Sequence, residues 1–153
     1  MRLAARSATT RAIADRFANG MEYFNTFGGN PVSCAVGLAV LDVLEEQHLL
    51  ENARVQGGYL LDRFRALADR HAAIGDVRGR GLMQAIELVS DRGTKAPATA
   101  ETAEIFERTR EQGLVISKSG AHKNVLRMVP PMCLTLDDVA VVAQALERCF
   151  DGY

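Results

Sequence analysis

Residues Met21 to Leu41 of this chain read MEYFNTFGGNPVSCAVGLAVL, a glycine-containing loop followed by a long apolar helix. Asn30 is a good N-cap because its side-chain oxygen can accept hydrogen bonds from the free N–H groups of the first helical turn. Pro31 suits the first helical position, where its missing donor costs nothing. No polar residue interrupts the sequence from Cys34 to Leu41. A helix that is apolar on every side must be buried on every side, so the pattern predicts a second domain or subunit against it.

The loop before this helix has two interpretations. Thr26 offers a hydroxyl group, and Gly28 and Gly29 let backbone N–H groups approach a ligand closely. Together with the partial positive charge at a helix N-terminus, these groups could hold a phosphate. From the residues alone, an ordinary Gly-Gly turn leading into a helix is favoured, and the phosphate site is the alternative.

Length and composition indicate a soluble globular protein. The chain has 153 residues, of which 48% are hydrophobic and 24% charged, and its formal net charge is −1. This charge argues against nucleic acid or an acidic membrane as the main partner, and no apolar run approaches the roughly 20 residues of a membrane span. Cys34, Cys133 and Cys149 lie in apolar surroundings and are expected to be reduced core residues of a cytoplasmic protein. Three early arginines faintly resemble a transit peptide, but an irregular start before a helix is favoured.

Hydrophobic periodicity predicts both helices and short strands. Helices are expected over residues 11–17, 31–46, 50–70 and 99–112 and after Thr135, and strands within residues 74–89 and over 114–117 and 125–129. Gly57 and Gly58 weaken the third helix, which suggests close packing there. The glycines at 79 and 81 do not form a dinucleotide-binding fingerprint, because no third glycine follows and the segment leads into a strand.

The remaining acids and histidines favour structural roles. Asp137 and Asp138 fall in the first turn of the last helix, where carboxylates complement the helix dipole, and Thr135 with Asp138 predicts a capping box. His48 and His71 lie at helix ends without neighbouring ligands and are expected at the surface. The sequence therefore predicts neither a metal site nor a catalytic residue in this chain.

Arg127 is the most informative residue of the second half. In a strand, Val125, Arg127 and Val129 share one face, and Leu126 and Met128 share the other. A guanidinium buried among valines needs an anion, because an unpaired buried charge is costly. The alternative is an edge strand from which Arg127 reaches solvent, and the pattern does not separate the two.

Three motifs, in order along the chain, resemble those of class III (ornithine-aminotransferase-like) pyridoxal-phosphate enzymes. They are FNTFGGNPVSCA at 24–35, VRGRGLM at 77–83 and NVLRMVPPMCLT at 124–135. The resemblance covers the chain from about Ala8 to Tyr153 and is closest to the ethanolamine-phosphate and phosphohydroxylysine phospho-lyase-like branch. It implies an α/β protein, the C-terminal portion of the fold type I pyridoxal-phosphate transferases. Residues 1–45 would end the large cofactor-binding domain, and residues 46–153 would form an α+β small domain with a small antiparallel sheet packed with helices.

The same resemblance implies site residues and a partner. Thr26, with Asn25 beside it, matches the position that binds the phosphate of pyridoxal phosphate in the active site of a partner subunit, so a homodimer is expected. Arg127, before the Pro-Pro element, matches an arginine that binds the substrate carboxylate, a task suited to its planar fork. The phospho-lyase-like branch has lysine there, so arginine favours a carboxylate-bearing substrate.

The implied activity is transfer of an amino group from an amine or amino acid to an oxo acid. The alternatives are a phospho-lyase of the same family and a non-catalytic remnant that dimerises through the apolar helix. Pyridoxal-phosphate chemistry needs a lysine for its Schiff base. Lys95, Lys118 and Lys123 fall in polar loops or at a strand end, outside any matching motif. We therefore expect the family's lysine to lie before Met1 and this chain alone to be inactive.

Overall fold

The computed structural model describes residues 10–21 and 30–153. The chain divides into two compact units, Met1–Gln47 and His48–Tyr153. The described part of the first unit contains α1 (Arg11–Phe17) and α2 (Pro31–Glu46). The second unit contains, in chain order, α3 (Leu49–Arg70), β1 (Ile74–Arg80), β2 (Met83–Asp91), β3 (Ala96–Pro97), α4 (Thr99–Glu111), β4 (Ser117–Ser119), β5 (Val125–Met128) and α5 (Leu136–Phe150).

The N-terminus of α2 has the predicted cap. The Asn30 side-chain oxygen accepts hydrogen bonds from the backbone N–H groups of Val32 and Ser33 at 2.9 and 3.2 Å, and Pro31 opens the helix. All of α2 lies in the described range, yet none of its 16 residues is buried. Most of its apolar side chains, among them Val36 and Val40, are exposed, so a covering domain or subunit stays a prediction.

The second unit is built around an antiparallel sheet with strand order β1-β2-β5-β4, and the short β3 pairs with β2. Helices α3, α4 and α5 contribute to one continuous hydrophobic core with this sheet. Its fully buried members include Leu60, Phe64, Ile86, Leu88, Ile105, Leu126, Leu146 and Phe150. The predicted fold class, an antiparallel sheet packed with helices, is confirmed.

Alternating burial along the β1–β2 hairpin distinguishes the two faces of the sheet. Leu82, Gln84, Ile86 and Leu88 are buried, whereas the alternate residue Met83 is 61% exposed. We call the side away from the core the open face. By strand alternation and register it carries Asp76, Arg78, Arg80, Met83, Ala85, Glu87, Ser117 and Arg127.

Helix α3 meets the hairpin through two glycines. A Cβ atom added to Gly57 would overlap the backbone carbonyl of Gly81. The buried Gln84 amide closes this contact, since its Nε2 donates to the carbonyl oxygens of Gly57 and Gly81 at 2.6 and 2.8 Å. Close packing is therefore confirmed at Gly57, but Gly58 has nothing within 4 Å of an added Cβ.

The capping box of α5 is confirmed. The Thr135 backbone N–H and hydroxyl donate to the Asp138 carboxylate at 2.9 and 2.6 Å, and the Asp138 N–H donates to the Thr135 hydroxyl at 3.2 Å. The hydrogen bond from the Thr135 side chain is the main reason that the pKa of Asp138 lies below its ordinary value. Asp138 thus has the structural role expected from its position.

Two short strands differ from the prediction. The strand expected at 114–117 lies at Ser117–Ser119, because Leu114 is still bonded to the end of α4, its N–H donating to the Thr109 carbonyl at 2.8 Å. Strand β3, which pairs with β2, lies where no strand was predicted.

Two predictions about cysteine and histidine need correction. Cys149 is buried as expected, whereas Cys133 is exposed and Cys34 only partly covered. His48 is exposed, but His71 is half-buried, with its ring centroid 5.5 Å from that of Phe150. The surroundings of His71 depend on how α5 returns to α3, which local sequence does not encode. Within residues 10–21 and 30–153, no helix combines the length and apolarity that a membrane-spanning segment requires.

The Gly57 contact gives a paired stability test. Gly57→Ala should lower the free energy of unfolding by about 1–3 kcal/mol, because the methyl group forces α3 and the Gly81 turn apart. Gly58→Ala, the matched control, should raise it by about 0.5–1 kcal/mol, because alanine favours the helix and its methyl group meets nothing. Urea unfolding followed by far-UV circular dichroism measures both. Equal effects from the two substitutions would contradict the close packing at Gly57.

Candidate functional site

Arg127 lies in the middle of the sheet with its side chain on the open face. Its register partners are Ala85 on β2 and Ser117 on β4. Strand β5 is therefore an inner strand, and the edge-strand interpretation is wrong. The Arg127 side chain is nevertheless exposed, so burial among valines is wrong as well. Val125 is buried beside the turn at Gly120, but Val129 follows the end of β5 and is 55% exposed, so no apolar cover forms over Arg127.

The Arg127 guanidinium has no ion-pair or hydrogen-bond partner in the described part of the chain. The Ser117 hydroxyl donates to the Arg127 main-chain carbonyl at 3.3 Å, so this contact does not use the guanidinium. An exposed arginine on a paired strand has a fixed backbone and free donors. Such a group can bind a carboxylate or a phosphate from outside.

The acids of the open face are engaged by a different arginine. Arg78 donates to Asp76 and to Glu87, each at 2.6 Å. These bonds, first the one with Asp76, raise the pKa of Arg78 above its ordinary value. Both carboxylates are bonded to Arg78, and neither forms an ion pair with Arg127. This cluster was not predicted from the sequence, although a hairpin folded at Gly81 places Asp76 opposite Glu87.

The predicted phosphate contact falls on residues that the structure does not describe. Asn25 and Thr26 lie outside the described residues, so their role stays a prediction. The adjoining start of α2 has no spare backbone N–H in its first turn: Pro31 lacks an N–H, the Val32 and Ser33 N–H groups donate to the Asn30 side chain, and the Cys34 N–H donates to the Asn30 carbonyl at 3.0 Å. The partial charge of the helix remains, but the backbone N–H groups of residues 32–34 are not available to a phosphate.

Comparison with known proteins identifies the family. The family model of class III aminotransferases matches residues 2–150. The chain belongs to this family. Its relatives include alanine–glyoxylate aminotransferase 2 homolog 2 of Arabidopsis thaliana, 52% identical over 125 residues, or 82% of this chain and 26% of that protein. Ethanolamine-phosphate phospho-lyase homolog 1 of Caenorhabditis elegans is 37% identical over 142 residues, or 92% of this chain and 30% of that protein.

Comparison with solved structures supports the same family assignment. A phospholyase from Arthrobacter in complex with phosphoethanolamine superposes with a TM-score of 0.87 at 38% identity, over 95% of this chain and 34% of that one. An amine transaminase from an uncultivated Pseudomonas species, in its pyridoxal-phosphate-bound internal aldimine form, gives 0.80 at 35% identity, over 92% and 33%. The cofactor of the family is pyridoxal phosphate, as predicted. The chain spans about a quarter to a third of these relatives.

The described lysines do not fit the Schiff-base position of this cofactor. Lys95 and Lys123 are exposed and sit in left-handed turns, with φ of 57° and 55°. The Lys118 ammonium lies 4.8 Å from the centre of the Phe106 ring, so this side chain is already held in a contact within the second unit. Nor does any group of three or more His, Cys, Asp or Glu in the described ranges suit a metal ion.

We expect this chain alone to form no specific covalent adduct with pyridoxal phosphate, because Lys95 and Lys123 are exposed in turns and the Lys118 side chain is held against the Phe106 ring. The measurement is incubation with the cofactor, borohydride reduction and peptide mass mapping. Free lysine at the same concentration gives the background level of modification. A stoichiometric phosphopyridoxyl group on Lys95, Lys118 or Lys123 would show that the residue is a genuine cofactor site.

Proposed function

We propose that this chain supplies the C-terminal part of a pyridoxal-phosphate-dependent aminotransferase that moves an amino group from an amine or amino acid to an oxo acid. The observation that carries the proposal is Arg127, an unpaired guanidinium on a central strand whose neighbouring acids are already engaged. The resemblance of its motif to the family's substrate-binding arginine, and the similarity to aminotransferases, support the same role.

Arg127 would bind the substrate carboxylate. Its backbone is held on both sides, since β5 pairs with β2 and with β4, so its position varies little. The planar fork offers two parallel N–H groups to the two carboxylate oxygens, which fixes the orientation of the substrate as well as its position. Its two register partners, Ala85 and Ser117, are small and uncharged, so neither competes for the guanidinium.

The loop before α2 would contribute to the cofactor. In this proposal the Thr26 hydroxyl donates to the phosphate of pyridoxal phosphate in a partner subunit, with Asn25 beside it. When bound, the cofactor supplies the electron sink for the reaction. Unit Met1–Gln47 would then be the end of the large domain and unit His48–Tyr153 the small domain. A cytoplasmic location is part of the proposal, supported by the three free cysteines.

A phospho-lyase is the second candidate. The similarity to the Arthrobacter phospholyase in complex with phosphoethanolamine favours it, because that structure has a TM-score of 0.87. The third candidate is a non-catalytic protein that dimerises through α2. The absence of a fitting lysine among the described residues supports it for the chain in isolation.

Helix α2 gives a test of the homodimer. We expect the chain to self-associate, because α2 exposes apolar side chains such as Val36 and Val40 one helical turn apart. The double variant Val36→Lys, Val40→Lys should be monomeric. Val141→Lys, an equally exposed valine on α5 at 61%, is the matched control and should associate like the wild type. Sedimentation velocity at several concentrations measures this. A wild-type chain that stays monomeric at all concentrations would contradict the prediction.

The substrate role of Arg127 can be tested in an enzyme where this chain replaces the matching part of an aminotransferase relative. Arg127→Ala should weaken transition-state stabilisation for carboxylate-bearing donors by roughly 2–5 kcal/mol, because the substrate anion loses its partner. Arg127→Lys keeps the charge but loses one of the two parallel bonds. Its transition-state stabilisation should therefore lie between those of the wild type and Arg127→Ala. The measurement is kcat/KM for an amino acid and for a simple amine of similar size, and the amine should be little affected.

The phospho-lyase candidate predicts a different pattern. Arg127→Lys should then be tolerated, and phosphate release from phosphoethanolamine should be measurable in the same enzyme. If the wild type and both variants use the amino acid equally well, Arg127 has no role in substrate binding.

A further inference from the structure

The open face carries three arginines, and only one of them has carboxylate partners. Arg78 lies between Asp76 and Glu87 and uses both. Arg80, at the end of β1, is exposed, and no ion pair joins it or Arg127 to any other described residue. Two of the three guanidinium groups are therefore available to an external anion.

The register places Arg80 and Arg127 on the same face. Arg80 pairs with Met83, and Arg127 pairs with Ala85 two residues further along β2. The two arginines are thus separated by two strand spacings and offset by two residues, which puts their Cα atoms about 12 Å apart. Only the uncharged Met83 and Ala85 lie between them, so two extended side chains can converge over β2.

The surrounding charges leave this region cationic. Strands β4 and β5 read SKS and VLRM and contain no acid. The Lys118 ammonium does not add to the open face, because Lys118 pairs with the buried Leu126 and contacts the Phe106 ring. The acids Asp76 and Glu87 lie on the far side of Arg78 from Arg80 along the hairpin, and both are bonded to Arg78. Glu87 pairs with Val125 and is therefore a diagonal neighbour of Arg127, but no ion pair joins these two described residues. The three arginines outnumber the two acids, so the open face keeps a net positive charge.

We propose that Arg80 is the second cation of the Arg127 anion site, and that the site takes a doubly charged anion, either a phosphate ester or a dicarboxylate. The proposal rests on the proposed function, in which Arg127 binds the anionic end of the substrate. One guanidinium fork satisfies a single carboxylate. A second free guanidinium within reach matches the second negative charge of a dianion, and Arg80 selects such substrates over monocarboxylates.

The test titrates the complete 153-residue chain, labelled with ¹⁵N, with inorganic phosphate, succinate and acetate. The titrations are run at about pH 8, where phosphate is mainly a dianion, and at constant ionic strength to hold screening fixed. Backbone amide shifts of residues 80–87 and 125–128 report binding. The variants are Arg80→Gln and Arg127→Gln. Arg63→Gln, an exposed arginine on α3 away from the sheet, is the matched control.

We expect at least one dianion to bind roughly fivefold or more tightly than acetate, and Arg80→Gln to remove this preference while acetate binding is unchanged. Tighter binding of phosphate than of succinate indicates a phosphate ester, and the reverse indicates a dicarboxylate. Arg63→Gln should behave as the wild type.

Two results would overturn the inference: acetate binding as tightly as both dianions, or Arg80→Gln binding them like the wild type. In either case the proposed function survives if Arg127→Gln still abolishes acetate binding. If Arg127→Gln changes the binding of no anion, the proposed function itself fails.

Discussion

The contact between Gly57 and Gly81 determines how the hairpin sits on α3. A side chain on Gly57 would overlap the Gly81 carbonyl, and the buried Gln84 amide donates to both glycine carbonyls. Buried carbonyl oxygens are costly when they lack donors, so this amide favours one placement of β2 against the helix. Strand β5 pairs with β2, and the position of Arg127 follows from that pairing. The candidate site is therefore positioned by a packed glycine contact on the opposite face of the sheet.

On the open face, one arginine is bonded to both carboxylates, and the other arginines have no carboxylate partner among the described residues. Arg78 takes Asp76 and Glu87 because hairpin register places these acids together, which leaves Arg127 without a competing internal carboxylate. An internal acid beside Arg127 would occupy the guanidinium and weaken its binding to a substrate anion. The exposure of Arg127 also means that bulk water screens it in this chain alone. Strong binding would need a further surface that excludes water around the bound group.

Local features were predictable from the sequence because they depend on neighbouring residues. The Asn30 cap, the capping box of Thr135 with Asp138, and the alternation through Gln84 are examples. The environment of Arg127 was not predictable, because it depends on which strands flank β5. Alternation put Arg127 on the correct face, but only the order β1-β2-β5-β4 shows that an inner strand can carry an exposed arginine. The phosphate loop containing Asn25 and Thr26 lies outside the described residues, and its predicted role stays a prediction.

The two units differ in how far their hydrophobic residues are buried. In His48–Tyr153 most apolar residues of α3, β2, β5 and α5 form a common core, and only scattered ones such as Met83 and Val141 are exposed. In contrast, α2 is as apolar as a core helix but has no buried residue. Burial of apolar area is the main favourable term in folding, so α2 gains its full stability only against a surface of similar character. Periodicity identifies a helix that needs covering, but it does not identify the covering surface, since any complementary apolar face satisfies the same pattern.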